Sequence, residues 1–398
     1  MQPIAMYERA VEPTIRALPG GLKNRSRRAD FTQPRVALMV QRAFIYNPCR
    51  RNKRRWGPMN HPILCALLAL IVLASMALHC ADRALAQPIN SATLIEGAKK
   101  EGELVIYGTT DLRQATILNE KFRQKYPFID VKLNRLTSDN MYPRVIAETR
   151  SGKFLSDVLQ NNTLGMYFLK RGKFLAHYVS SEDRFYPNDF KDHGYWITSS
   201  TNVHVIGYNT RAIARDKLPK KWEDLLNPAW KGRMLVSPRE QWFAWVLQIM
   251  GKENGLNYMR ALAKQNIAIR RETTAMRAQL VTAGESDLDV DSTYSVLTPL
   301  IRNGAPVSWT TLGPTLVVPV GHGVSARAPH PNAAKLFIDF VLSREGQRVV
   351  LASDRNSARA DLAQEQGAIK DVKLIPLDPS QGDNMEFYAR QAQEIFGK

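Results

Sequence analysis

Residues 104–133 read LVIYGTTDLRQATILNEKFRQKYPFIDVKL, and the periodicity of this stretch decides the fold. Leu104 to Tyr107 is a short apolar run between Gly102 and Gly108, the pattern of a buried strand. Asp111 then opens a 3.6-residue period that puts Leu112, Ala115, Leu118, Phe122 and Tyr126 on one side, and Pro127 ends it. Ile129 to Leu133 alternates apolar and polar residues, which is the period of a second strand. A helix beginning near Ser138 and a strand at Ser156–Leu159 extend the series to β-α-β-α-β, the order that builds a doubly wound lobe. Upstream, Ser91 caps a helix that runs to Lys100 and stops at Gly102.

Downstream the same alternation continues. Trp196 to Tyr208 is strand-rich and reads as a crossing between lobes. A turn-rich connector, Pro219 to Pro238, contains the strand Met234–Val236, and helical patterns follow at about 240–250, 255–265 and 273–283. The chain returns through Leu316–Val320 to an amphipathic helix, Asn332 to Leu342. The expected fold class is α/β, with two doubly wound lobes joined by hinge strands. Residues 87–200 form the first part of lobe 1, 201–310 the hinge and lobe 2, and 311–398 the return to lobe 1 with C-terminal helices. The aromatics Trp242, Phe243 and Trp245 read as core.

The N-terminal 86 residues have a different character. Arg50, Arg51, Lys53, Arg54 and Arg55 precede an apolar run of 17 residues, Pro62 to Leu78, and then Ala84-Leu85-Ala86. Basic, apolar and small-x-small in that order is a secretory signal, so residues 59–86 are read as a signal peptide cleaved after Ala86. An uncleaved membrane anchor is the alternative. Residues 1–58 form a basic leader with two readings: a disordered extension, or an upstream start in place of Met59. Thirteen Lys or Arg against Glu8, Glu12 and Asp30 give this leader +10 of the formal +18, leaving +8 for the rest. That distribution removes most of the case for a nucleic-acid partner. Cys49, Cys65 and Cys80 all precede the cleavage point, so the exported part has no thiol for catalysis or metal binding.

Two longer stretches carry a resemblance. Trp222-Glu223-Asp224-Leu225-Leu226-Asn227-Pro228-Ala229-Trp230-Lys231-Gly232-Arg233 and the segment Ala328 to Gln347, with Tyr208-Asn209 and Gly284-Glu285, resemble the ferric-iron and small-anion branch of bacterial extracellular solute-binding proteins. The likeness spans roughly residues 100–355. It implies a monomeric periplasmic protein, without cofactor, that holds ferric iron or a small anionic solute between two lobes and passes it to an ABC permease in the inner membrane. An enzyme on the same fold, or a membrane-anchored sensor, are the alternatives.

The candidate ligand residues lie where strands end and helices begin. Thr109, Thr110 and Asp111 follow the first strand, where free backbone N–H groups and hydroxyls are expected. Thr273 and Thr274 open a later helix beside Arg270 and Arg271, and Arg239, after Pro238, is a candidate anion clamp. Each of these sets reads equally as a helix cap or a solvated charge. Asp287, Asp289 and Asp291 share one strand face, read as solvated or, at Asp291, as a contact for a cation or amine. Ser292 and Thr298 break the calcium-loop pattern there. The resemblance adds Tyr294, where iron-binding members carry adjacent tyrosines, with Thr293 and Ser295 standing beside it here. It also puts Asp111 in place of an early histidine ligand and Asn161 or Asn162 in place of an acidic one, so direct four-residue iron coordination is not expected. Gly321-His322-Gly323-Val324-Ser325-Ala326 mimics a dinucleotide loop, but Pro329 and Pro331 follow at once.

Overall fold

The structure is a computed structural model that describes residues 91–237 and 239–397. The stretches read above as a basic leader and a signal peptide, and Pro238, lie outside the described residues. From the N-terminal side, α1 (Ser91–Glu101), β1 (Glu103–Gly108), α2 (Leu112–Lys125), β2 (Asp130–Arg135), α3 (Ser138–Arg150), β3 (Val158–Asn162) and α4 (Thr163–Arg171) follow one another. This is the alternation read from residues 104–133 and its extension. Gly102 adopts φ +68°, the left-handed turn that stops α1.

After β4 (Lys191–Asp192) comes the long strand β5 (Trp196–Asn209). Then follow β6 (Met234–Val236), α5 (Glu240–Met250), α6 (Lys252–Ala263), β7 (Ala268–Ile269), α7 (Thr274–Ala283), β8 (Leu288–Thr293), α8 (Tyr294–Arg302) and β9 (Val307–Thr310). The chain ends with β10 (Thr315–Val324), α9 (Pro331–Leu342), α10 (Arg344–Ala352), β11 (Leu374–Pro376) and α11 (Met385–Phe396).

The strands run in the order β2-β1-β3-β10-β5-β8-β6-β7, with β11 on β10 and β4 and β9 on β5. In the first half β1 lies parallel to both β2 and β3, and in the second β6 lies parallel to β7 and β8. Each half is therefore doubly wound, and the chain reverses direction across each sheet beside β1 and beside β6. β5 belongs to both halves. Ile197 to Val203 pair antiparallel with β10, whereas His204 to Tyr208 pair with β8 across a register shift after Val205.

Two apolar cores flank this strand. Phe122 packs edge-on against Phe337, centroids 5.1 Å apart, between α2 and α9 in the first half. In the second, Trp242, Phe243 and Trp245 of α5 are buried, as the sequence reading expects. α11 lies on this second core, with Phe396 6.5 Å from Trp242 and Tyr388 6.2 Å from Phe243. The chain thus does not end on lobe 1, as the range 311–398 implies: after β10 and α9 it crosses back, because Tyr388, Ala392 and Phe396 share one face and cover α5. Leu112 also departs from expectation. It is 58% exposed, since the first turn of α2 extends past the apolar face that begins at Leu118.

Asp157 locks the first half together. Fully buried at the start of β3, its carboxylate accepts the Val105 N–H at 2.7 Å, the His330 N–H at 2.7 Å and His330 Nδ1 at 2.9 Å. Glu101 similarly accepts the N–H groups of Asn332 and Ala333 at the first turn of α9. Asp157→Ala leaves two buried backbone donors and a ring donor without their acceptor, so it is expected to lower stability by about 3 kcal/mol or more. Asp157→Asn, which keeps one acceptor, should lose less; urea unfolding of both variants checks the order.

Candidate ligand-binding site

The reversal beside β1 gathers the first set of polar groups. The side chain of Gln160, on β3, accepts from the backbone N–H of Thr109 at 2.7 Å and of Thr110 at 3.1 Å, and its amide donates to the Thr110 hydroxyl. The free amides expected at Thr109 and Thr110 are therefore occupied, because a carboxamide from the adjacent strand reaches them first. Asp111 is the N-cap of α2 and accepts from Arg113 N–H at 3.0 Å. Asn162 caps α4 in the same way, accepting from Gly165 N–H at 2.9 Å.

Behind this loop is a cavity of about 50 Å³, between the sheet and helices α2 and α10. Its polar lining includes Gln114, Gln160, Ser199, Ser200, His322 and Arg355. The guanidinium of Arg355 donates through Nη2 to Ser200 Oγ at 2.9 Å, while its Nε is enclosed and finds no partner among the described residues. Burial brings its pKa down to about 10, against an opposing pull from Asp111, so it remains a cation at neutral pH. His322 is 5% exposed with its Nδ1 unpartnered, and burial pushes its pKa down to about 3. It is a neutral imidazole.

In the second half, the aspartates of β8 are not solvated. Asp289 and Asp291 are buried and face Arg277, itself 1% exposed. Arg277 Nε lies 3.2 Å from Asp289 Oδ2, its Nη1 donates to the Glu272 carbonyl, and Nη2 donates to that of Asp291. Asp291 also meets His204 Nδ1 at 2.6 Å. The solvated reading of this strand face is corrected: α7 covers it, and an internal cation compensates the carboxylates. Burial nonetheless raises the pKa of Asp289 to about 6, with Arg277 opposing the rise.

Tyr294 opens α8 half-buried, its ring edge-on to Trp309 at 5.4 Å and its hydroxyl 3.6 Å from where a Cβ on Gly367 would sit. It packs with the apolar residues around Val307 and Ile369. Thr273 caps α7 by accepting from Met276 N–H at 3.3 Å, and Thr274 is the first residue of that helix. Arg239 is exposed at the N-cap of α5. Among the described residues no group of three or more His, Cys, Asp or Glu side chains is arranged to hold a metal ion, and no helix is long and apolar enough to cross a membrane.

Sequence reasoning missed Gln160, His322 and Arg355. A signal was present: Thr198-Ser199-Ser200-Thr201 is a polar run inside a strand, and all four residues are buried. Buried polar side chains need partners, so such a run marks a hydrogen-bonded site.

The architecture, two doubly wound halves sharing one long strand, is that of the bilobal periplasmic binding proteins. Iron-bound HitA from Pseudomonas aeruginosa superposes with a TM-score of 0.63 at 22% identity, covering 74% of this chain and 99% of that one. Trichodesmium FutA in complex with iron and citrate gives 0.64 at 18%, covering 75% and 100%. AfuA of Actinobacillus pleuropneumoniae, with fructose-6-phosphate bound, gives 0.62 at 21%, covering 74% and 99%. The chain belongs to the bacterial extracellular solute-binding protein family, whose model matches residues 154–378. A curated relative, the Fe(3+)-binding periplasmic protein of Serratia marcescens, is 29% identical over 196 residues, 46% of this chain and 56% of its own length. This chain therefore spans little more than half of that relative. An uncharacterized protein of Haemophilus influenzae is 25% identical over 280 residues, 63% of this chain and 76% of its own.

The neutral His322 has a pH signature. Its folded pKa lies below the unfolded value of about 6.5, so only the unfolded chain gains a proton as pH falls, and stability drops by about 2 kcal/mol between pH 7 and 5. Asp289, with a raised folded pKa, acts with the opposite sign in the same window. The difference between wild type and His322→Leu in urea melts at the two pH values isolates the histidine, and the variant should lose about 2 kcal/mol less.

Proposed function

We propose that this protein is the substrate-binding component of an ABC importer, a non-catalytic monomer that captures a small solute between its halves in the periplasm and delivers it to an inner-membrane permease. The observation that carries this reading is β5, one strand hydrogen-bonded into both halves, joined to membership of the solute-binding family. A solute that touches both halves favours their closed arrangement by the contacts it gains there, and no bond of the solute need change.

For the cargo, ferric iron carried by a chelator or a small anionic organic solute fits the side chains better than naked ferric iron. Asp291 is committed to His204 and Arg277, and Tyr294 packs edge-on to Trp309. Asp291 is thus not free to grip a bare metal ion, and Tyr294 stands without the adjacent tyrosine. Arg239, Thr273 and Thr274 remain available on the second half, and Asp111 and Asn162 on the first, as side chains a solute can meet at helix N-termini. The three iron-related proteins named above, iron-bound HitA, FutA with iron and citrate and the Fe(3+)-binding protein of Serratia marcescens, support the iron-related cargo without fixing its form.

Thermal shifts of the full chain with ferric citrate, ferric chloride, and a panel of carboxylates, phosphates and amines test the proposal. A true cargo at a hundred times its Kd adds about 2.7 kcal/mol to folding stability. A melting temperature unmoved by every compound, or chemical turnover of a compound that does bind, would refute it.

A further inference from the structure

We propose that the cavity beside β1 is a carboxylate-binding subsite with Arg355 as its anchor, an inference that rests on the solute-binding reading above and adds the chemistry of one end of the solute. The first ground is charge. The buried arginines Arg277 and Arg359 are paired, Arg277 with Asp289 and Arg359 with Glu182 and Asp361, whereas Arg355 is half-buried with its Nε enclosed. Among the described residues Arg355 makes no ion pair; its hydrogen-bond contact is the hydroxyl of Ser200, and Asp111 acts on it without touching it. A guanidinium nitrogen taken from water and left without an acceptor is unfavourable unless an anion arrives.

The second ground is geometry. The enclosed Nε of Arg355 and its Nη2 lie on one edge of a planar fork, the edge that meets both oxygens of a carboxylate. Ser200 Oγ accepts from Nη2 and ties the guanidinium to β5. The neutral ring of His322 also faces the cavity, with Nδ1 unpartnered.

The third ground is size and charge balance. About 50 Å³ admits roughly one or two waters at ~30 Å³ each, hence a carboxylate group and not the body of a sugar or nucleotide. With the charge of Asp111 already acting on Arg355, a monoanionic group suits the site better than a phosphate dianion. The remainder of the solute would project outward past Thr110.

The competing role for Arg355 is to tie the loop after α10 to β5, and the variants separate the two. Titration calorimetry and melting of the full chain, at matched ionic strength, with succinate, iron-free citrate and inorganic phosphate as probes, read binding and stability together. Wild type should bind a carboxylate probe, and Arg355→Met should weaken its Kd at least ~10-fold while melting, without ligand, at or above the wild-type temperature. Ser200→Ala cuts the loop tie but keeps the guanidinium, and should hold the Kd within about threefold. The proposal is overturned by an Arg355→Met variant with the wild-type Kd, by a Ser200→Ala loss as large as that of Arg355→Met, or by a response to phosphate without one to carboxylates. If ferric iron stabilises wild type and no carboxylate does, the subsite is wrong and the importer reading stands. If nothing stabilises it, both fall.

Discussion

The structure depends on one constraint: β5 must satisfy its backbone in two sheets while carrying a run of hydroxyls through the interior. Thr198 to Thr201 are buried where a strand of this kind would ordinarily present valine or isoleucine. Hydroxyl side chains pack less apolar surface, and each requires a partner. Three of the four find partners in distant parts of the chain: Ser199 Oγ donates to the Val320 carbonyl at 3.2 Å, Thr201 Oγ1 donates to the Asn356 carbonyl at 3.4 Å, and Ser200 Oγ accepts from Arg355 at 2.9 Å, while Thr198 Oγ1 has none among the described residues. The loop after α10 is thus clipped along the crossing strand, and the cavity forms beneath that clip.

The two halves handle buried charge differently. Around β8 the charges are closed on themselves, with Arg277 meeting two carboxylates and the carbonyls of Glu272 and Asp291, so this part is a brace that holds the start of α7 against the sheet. Around β1 the arrangement is left open. Arg355 and His322 each retain an unpartnered nitrogen, and the amides that might have met a solute directly are held by Gln160. The contrast lies in the arginines: Arg277 is closed by carboxylates and carbonyls, whereas Arg355 keeps an enclosed nitrogen open.

Much of the fold was legible because its signals are local. The alternation from Leu104 to Leu133, the stop at Gly102 and the aromatic face of α5 require no knowledge of partners more than a few residues away. The course of α11 was not legible, since an amphipathic face shows that a helix packs and not which of two cores it covers. Asp287, Asp289 and Asp291 misled for a related reason: their period of two fixes a shared face, but only the arrival of Arg277 from α7 makes that face an interior one. The site was harder still. Helix N-termini announce themselves through Thr, Asp and Asn, and several of these prove to cap their own helices. Arg355 sits in a loop with no local pattern, and nothing near it in sequence tells that its neighbour is Ser200, 155 residues away.

If the halves turn about β5 to enclose a solute, the molecule must become more compact when loaded. Small-angle X-ray scattering of the full chain, with and without a saturating amount of the compound that most raises its melting temperature, reads this motion directly. A smaller radius of gyration in the loaded protein is the expected result; identical scattering curves at proven saturation would contradict closure about β5.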